Sequence, residues 1–395
     1  MKIGLFQFNR TEFAGSLGDL GTLIPLSIGL ILIAGLNVTS VFLVVGLFYI
    51  IGGIYYRLPI PVQPLKVVAA IAIAFPDKIT VSIISATGLM FGLILLLLAW
   101  TGIIDWMARF FTRPVVRGIQ LGLGFILITR GIGFIQNPNL FINEGQGVVT
   151  LAGMPLNPIF GIIGVVLTLF LLSNRRFPSA LVVVTAGTAM GLAFGALKGV
   201  AFDLGPTPLE TALPGIADFR SAFFLLVIPQ IPLTLGNAII GTSDAAGTMF
   251  GKGEQTKRAT NRGFATSMGI ANLGAGLLAG MPVCHGAGGL AAHYRFGART
   301  GGSNIMIGLI FLIIALVFGK IGIHLLSSIP NSVLGVLLLF AGLELALLLR
   351  DVKGRNDLFV AFTIAGISIA TTNMGIAFVA GILIERLIKI SRLDV

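Results

Sequence analysis

Four polar residues interrupt two of the most apolar stretches of this chain. Gln63 and Lys66 stand in LPIPVQPLKVVAA (58–70), and Cys284 and His285 stand in LAGMPVCHGAGGLAA (278–292). A thiol beside an imidazole could act as nucleophile and base, or ligate a metal. Consecutive helical residues point about 100° apart, however, so a Cys284–His285 dyad is not expected. His293 and His324 lie on separate segments without HExxH spacing, no serine-nucleophile motif is present, and Cys284 is the only cysteine. Enzyme chemistry, a cofactor and a metal are therefore not expected. Anion binding suits these residue types better. An ammonium among apolar residues is costly unless it faces a cavity or a partner, so Lys66 either attracts an anion or pairs with Asp19. Gln63 can donate through its amide without fixing charge, or simply pack. His285 would donate to a ligand or to a nearby carbonyl, and its ionisation would make binding pH-dependent.

The backbone of both stretches adds to this. Each is broken by proline, and a short helix starting after such a break leaves free N–H groups that attract negative charge. Gly286, Ala287, Gly288 and Gly289 carry almost no side chain, so a ligand could approach that backbone closely. Elsewhere, Asp19 and Thr22 share a helix face in EFAGSLGDLGTLIP (12–25), where Gly15, Gly18 and Gly21 make a smooth surface. Asp19 is a counter-ion for Lys66, a helix-end acceptor or a proton-coupling group. Gln230, Thr234 and Asn237 form a helical stripe in VIPQIPLTLGNAIIGTSDAA (227–246), kinked by two prolines, which would line a hydrated site or bond helices together. Glu344 and Glu385 are deep enough in apolar segments to couple or pair, and spacing assigns neither.

The elements that must position these residues cross a membrane. The 395 residues are 56% hydrophobic and only 10% charged, well below the charge of a soluble domain. Apolar runs of membrane-crossing length recur throughout, without the alternation of a transmembrane barrel. The fold expected is an all-α integral membrane protein of about fourteen spans, near 11–35, 38–56, 62–75, 79–100, 112–134, 158–173, 178–197, 221–242, 259–279, 283–296, 302–319, 321–349, 356–371 and 374–392. The start is too mixed to read as a secretory leader.

The net charge of +11 raises the question of nucleic acid. Of the lysines and arginines, only Lys78, Arg130, Lys198, Arg220 and Lys320 fall in the outer loops. The rest, apart from Lys66, gather in inner loops with Arg109, Arg175, Arg176 and Lys252 among them. This is the bias of a membrane protein with both termini cytoplasmic, its basic loops facing lipid headgroups, and no nucleic-acid partner is expected.

The third and tenth spans are short, and their entrances match: Pro61-Val62 corresponds to Pro282-Val283, each followed by polar residues and Ala-Ala. Each is third in a set of seven, and an odd-numbered repeat re-enters the bilayer inverted. Two inverted seven-span repeats, 1–197 and 221–395, joined by an extracytoplasmic loop at 198–220, are therefore expected, with the ligand between the two broken spans. In that arrangement both half-helix N-termini point at one midplane site.

The strings GDLGTLIP, PVQPLK, PQIPLTLGNAI and above all MPVCHGAGGLAAHYRFGART resemble the molybdate transporter family, a branch of the sulfate permease superfamily, over nearly the whole chain. The resemblance implies fourteen spans in two inverted repeats, with a core domain moving against a gate domain. It also implies molybdate import, with tungstate or sulfate as competitors. The family's motifs fall on Pro61, Val62, Gln63, Pro64 and Lys66, and on Pro282, Cys284, His285, Gly286 and Gly288. This chain departs from them at Leu65, where the family has Met, and at His293, where Gln is common. His293 adds an ionisable group near the inner mouth.

The expectation is a secondary transporter in the cell membrane that imports a tetrahedral oxyanion by alternating access. No GxxxxGK[ST] motif is present for ATP, so a proton is the expected coupling ion, and a homodimer is compatible with this architecture. A nucleobase permease would need carboxylates where Gln230 and Asn237 stand. An anion channel would share the same cradle and differ in flux.

Overall fold

The computed structural model describes the chain except residues 1, 4, 105–111, 143–147, 173–178, 199, 210, 212, 252 and 392–395. The basic residues Arg109, Arg175, Arg176 and Lys252 therefore lie outside the described residues. Helices dominate: α1 (Arg10–Ser16), α2 (Leu20–Leu32), α3 (Val38–Tyr56), α4 (Lys66–Ala74), α5 (Val81–Thr101), α6 (Arg113–Gln136), α7 (Leu156–Leu171) and α8 (Ser179–Ala193) in the first half. The second half holds α9 (Ile216–Phe250), α10 (Asn261–Leu277), α11 (Ala287–Phe296), α12 (Gly301–Val317), α13 (Gly319–Ser327), α14 (Asn331–Asp351), α15 (Arg355–Thr371) and α16 (Met374–Ser391). Local chemistry starts many of them. Asn37, Thr80, Thr260 and Thr300 each accept a backbone N–H of the following turn, satisfying a donor the helix cannot reach.

α3, α5, α6, α9 and α14 are long and apolar enough to cross a membrane. Two bent pairs, α1 with α2 (47°) and α11 with α12 (102°), also qualify as one broken element each. The chain is thus a multi-pass helical membrane protein. Several boundaries differ from expectation. The first apolar run is split at Leu17–Asp19. The run 321–349 is split into α13 and α14, because Pro330 cannot continue a helix and instead precedes the first turn of α14. The loop at 198–220 ends early, since α9 begins at Ile216. Within α9 the two prolines do not unwind the chain. Pro229 and Pro232 lie between two π-helical stretches, Phe223–Val227 and Thr234–Gly241, where the wider register absorbs the lost N–H donors.

Glycine seams knit the two halves of the chain together. α3 packs on α12, α5 on α10 and α6 on α14. In the last pair a methyl group at Gly131 would sit 2.6 Å from the Gly335 carbonyl oxygen, and one at Gly124 would sit 2.6 Å from that of Gly342. Without side chains on both partners the backbones approach closely, the usual basis of helix association in lipid. Gly46 and Gly308 meet in the same reciprocal way between α3 and α12.

The two proline-broken stretches meet in the centre. Gln63–Pro64 and Val283–Cys284 form an antiparallel pair in which Gln63 faces Cys284 and Pro64 faces Val283. Leu65 N–H donates to the Pro282 carbonyl at 2.9 Å and extends the ladder. Extended backbone at membrane depth must find partners within the protein, and here each break satisfies the other.

Candidate functional site

A cavity of about 410 Å³ lies beside this central pair. Its inner wall comes from the breaks: Asp19 and Thr22 at the start of α2, Gln63, Lys66 at the first turn of α4, and Gly288 and Gly289 in the first turn of α11. Its opposite wall comes from α7, α8 and α14, with Thr168, Ser179, Phe340 and Glu344 among its residues.

The break in the first apolar run is what delivers Asp19. α1 ends where Gly15 and Gly18 press against the backbone near Ala298 and Ala292, so the chain turns before α2 begins. Gly21, expected on the same smooth surface, meets nothing within 4 Å and lines the cavity instead. Asp19 is almost fully buried. Gln63 Nε2 donates to both its oxygens, at 2.9 Å to Oδ1 and 2.8 Å to Oδ2, while Gln63 Oε1, also buried, has no partner. The start of α11 is bare for a structural reason. A methyl group at Gly289 would sit 2.5 Å from Asp19 Oδ2 and 2.7 Å from Gln63 Nε2, whereas one at Gly288 meets nothing within 4 Å. The first N–H groups of α11 have no carbonyl within the helix to bond, and Gly289 in that first turn lies against this carboxylate-and-amide pair.

Of the two readings of Lys66, the salt bridge with Asp19 is not formed. Among the described residues Lys66 makes no ion pair within bonding distance, and it lines the cavity. The opposite end of α4 is held by Arg130, whose guanidinium donates to the Ala74 carbonyl and lies over the Phe75 ring.

Several residues singled out in the sequence stand elsewhere. Gln230 does not line the cavity: its Oε1 accepts the Val67 N–H at 2.9 Å and its Nε2 donates to Thr234 Oγ1 at 3.0 Å. It thereby caps α4 and occupies a donor that an anion could otherwise have used. Asn237 is half-buried in the second π-helical stretch, away from the cavity lining. His285 is fully buried and turned away; its ring nitrogens meet the Pro61 carbonyl at 2.8 Å and Ser267 Oγ at 3.1 Å, with Phe48 stacked on the ring. Cys284 is buried, its thiol directed to the Pro64 carbonyl at 3.5 Å. Gly286 and Ala287 precede the cavity-lining positions of α11, and Gly286 packs against the Gln63 amide. His293 is fully buried rather than at the mouth, with one ring nitrogen on the Pro59 carbonyl at 2.9 Å. Glu385 pairs with Lys389 at 2.7 Å, apart from the site.

Gly289, part of the side-chain-free run noted in the sequence, lines the cavity. One contributor was missed, Arg295: Gly288, Ala292 and Arg295 repeat at helical spacing and all three line the cavity. Among the described residues the lining thus holds four charged groups, Lys66, Arg295, Asp19 and Glu344. With a bare helix start and two cations, the cavity can hold a small anion without any covalent chemistry.

Residues 11–127 and 222–345 match the family described as "Molybdate transporter of MFS superfamily". Molybdate transporter 2 of Arabidopsis thaliana is 32% identical, over 97% of this chain and 88% of its own length. Molybdate transporter 1 of Chlamydomonas reinhardtii is 29% identical, over 95% of this chain and 91% of its own. Among solved structures, the transmembrane domain of the cyanobacterial bicarbonate transporter BicA superposes with a TM-score of 0.67 at 15% identity, covering 95% of this chain and 98% of that one. The murine anion transporter Slc26a9, in its inward-facing state, gives 0.69 at 16% identity over 100% of this chain and 70% of that one. The helical arrangement is therefore that of these anion transporters.

Proposed function

The chain belongs to the molybdate transporter family, and from that premise we propose that it imports molybdate across the cell membrane as a secondary transporter, with tungstate and sulfate as competitors. The observation that carries this reading is the cavity where Gln63, Lys66 and the side-chain-free start of α11 meet. A tetrahedral oxyanion there accepts N–H groups from the first turn of α11, lies near the Lys66 ammonium, and is oriented by Gln63. Inward movement of a dianion works against an inside-negative potential by about 2.3 kcal/mol per charge per 100 mV, so import requires co-transported positive charge.

The architecture proposed is fourteen spans in two inverted repeats, 1–197 and 221–395, with 198–220 between them and both termini cytoplasmic. Counting α1 with α2 and α13 with α14 as single spans, α3 on α12 becomes the second span on the eleventh. A repeat that carries span n onto span n+7 turns this pair into the ninth on the fourth, which is the α10–α5 seam. The same operation returns the α6–α14 seam and the Gln63–Cys284 ladder to themselves. These pairings support the repeat. The cavity lies between the group built on the α3–α12 and α5–α10 seams, which is the core, and the group containing α6, α7, α8 and α14, which is the gate. Movement of one against the other provides alternating access.

The test is equilibrium binding of molybdate, tungstate and sulfate to the purified protein and to the Gln63→Ala and Lys66→Met variants. Tight molybdate binding that persists in excess sulfate and collapses in both variants is expected. Stronger sulfate binding would overturn the substrate, and normal binding by both variants would overturn the site.

A further inference from the structure

Asp19 places a buried carboxylate on the spot where the oxyanion reading above needs an anion to be held. Its Oδ2 faces Gly289 in the first turn of α11, whose N–H groups are the donors for the ligand, and Gln63 is bonded to both of its oxygens. An ionised Asp19 occupies the Gln63 amide and repels a dianion across a short distance in a region shielded from water. Lys66 attracts the ionised carboxylate from beyond bonding distance, and among the described residues no cation forms an ion pair with it.

The other charged and titratable groups around it complete the picture. Lys66 on α4, Arg295 on α11 and Glu344 on α14 line the same cavity. Tyr49 on α3 is buried with its hydroxyl on the Val62 carbonyl, Cys284 faces Pro64, and His293 on α11 turns to Pro59. Among the described residues, with Lys66, Arg295, Asp19 and Glu344 all ionised, the lining carries no net charge. Protonating Asp19 makes it positive and turns the repelling carboxylate into a hydrogen-bond donor.

We infer that Asp19 is the proton-binding group that couples transport: the oxyanion enters when Asp19 is protonated, and the two are carried and released together. The proton comes from solvent on the side where the cavity is loaded and returns to solvent on the other side, so an outside-acid gradient drives import. This inference rests on the oxyanion reading, but its signature is separate from binding itself. Gln63 gains a role as well, as the residue that senses the state of Asp19: its amide can rotate so that the now unpartnered Oε1 accepts the carboxylic proton and Nε2 turns to the ligand.

The experiment counts protons. Molybdate is titrated into the purified full-length protein by calorimetry in buffers of differing ionisation enthalpy, across a range of pH, and uptake is followed in proteoliposomes under an imposed pH gradient. Wild type is expected to take up close to one proton per molybdate bound at alkaline pH. Its affinity should fall about tenfold per pH unit there, because the anion must wait for the protonated form. Asp19→Asn should bind molybdate with no proton uptake and no pH dependence, and in proteoliposomes should equilibrate molybdate without accumulating it. Asp19→Glu, which keeps the carboxylate, should retain the proton count and move the pH at which affinity begins to fall. Wild-type binding without proton uptake, or an Asp19→Asn protein that still takes up a proton, would overturn the inference while leaving the anion site intact. The absence of molybdate binding by wild type at every pH would instead overturn the oxyanion reading, and this inference with it.

Discussion

Gln63 and Cys284 are paired Cα to Cα across an antiparallel ladder only two residues long on each side. That pairing welds two proline-broken segments from opposite halves of the chain into one element. The same ladder turns the Gln63 side chain toward Asp19 and the Cys284 thiol toward the Pro64 carbonyl. Directly paired residues share a face of the ladder and adjacent ones point to opposite faces, so His285, next to Cys284, is turned away from the side on which Gln63 meets Asp19.

Gly288 and Gly289 should respond differently to one added methyl group. At Gly289 the methyl would overlap Asp19 Oδ2 and Gln63 Nε2, and at Gly288 it enters open space. Overpacking of this kind costs about 1–3 kcal/mol, so Gly289→Ala should weaken molybdate binding by roughly tenfold or more. Gly288→Ala should fold normally and shift affinity less than Gly289→Ala does. Titration of both purified variants decides it, and equal effects would mean that the start of α11 is not packed as described.

His285 is expected to matter for stability and not for ligand contact. Its ring bonds to Pro61 and Ser267 and stacks among aromatics. Removing a buried ring with two hydrogen bonds costs about 3 kcal/mol. His285→Ala should therefore lower the thermal unfolding midpoint in detergent by several degrees, while the protein that remains folded binds molybdate with near wild-type affinity. A loss of binding in fully folded protein would put the ring back in the site.

Gln230 offers a cleaner separation of cap from charge. Gln230→Ala strands the Val67 N–H, a buried donor, at a cost of about 1–3 kcal/mol in stability. Gln230→Glu keeps the acceptor, with Thr234 able to donate to it. The cap should survive, but the added negative charge at the start of α4 should reduce anion affinity. Unfolding midpoints and molybdate titrations on the two variants should move in opposite order: stability falls most in Gln230→Ala, affinity most in Gln230→Glu.

The α6–α14 seam should be intolerant of bulk. Gly131→Val would drive its branches into the Gly335 carbonyl, and backbone cannot yield as a flexible side chain can. Little monodisperse protein is expected after detergent extraction. Gly133→Val, two residues along on the same helix with nothing within 4 Å, should express like wild type. Similar yields from both would show that the two helices do not meet there.

Composition and periodicity alone determined the membrane class, nearly all the helices and the two broken segments, and singled out Gln63, Lys66 and Asp19, all of which line the cavity. Those signals are local: hydrophobic runs of membrane length, proline at fixed places, and charge where charge is costly. What only the tertiary structure decided was which polar groups the fold consumes. Gln230 and His285 carry side chains as suitable for a ligand as that of Gln63, but π-helical turns in α9 aim the first at α4, and the central ladder turns the second toward Ser267. Most buried donors find a partner, and whether that partner is the protein or a ligand depends on contacts between segments distant in sequence. The same holds for the contact of Gly289 with Asp19 and Gln63, and for Arg295 on the cavity wall, which exist only once α2 and α11 come together.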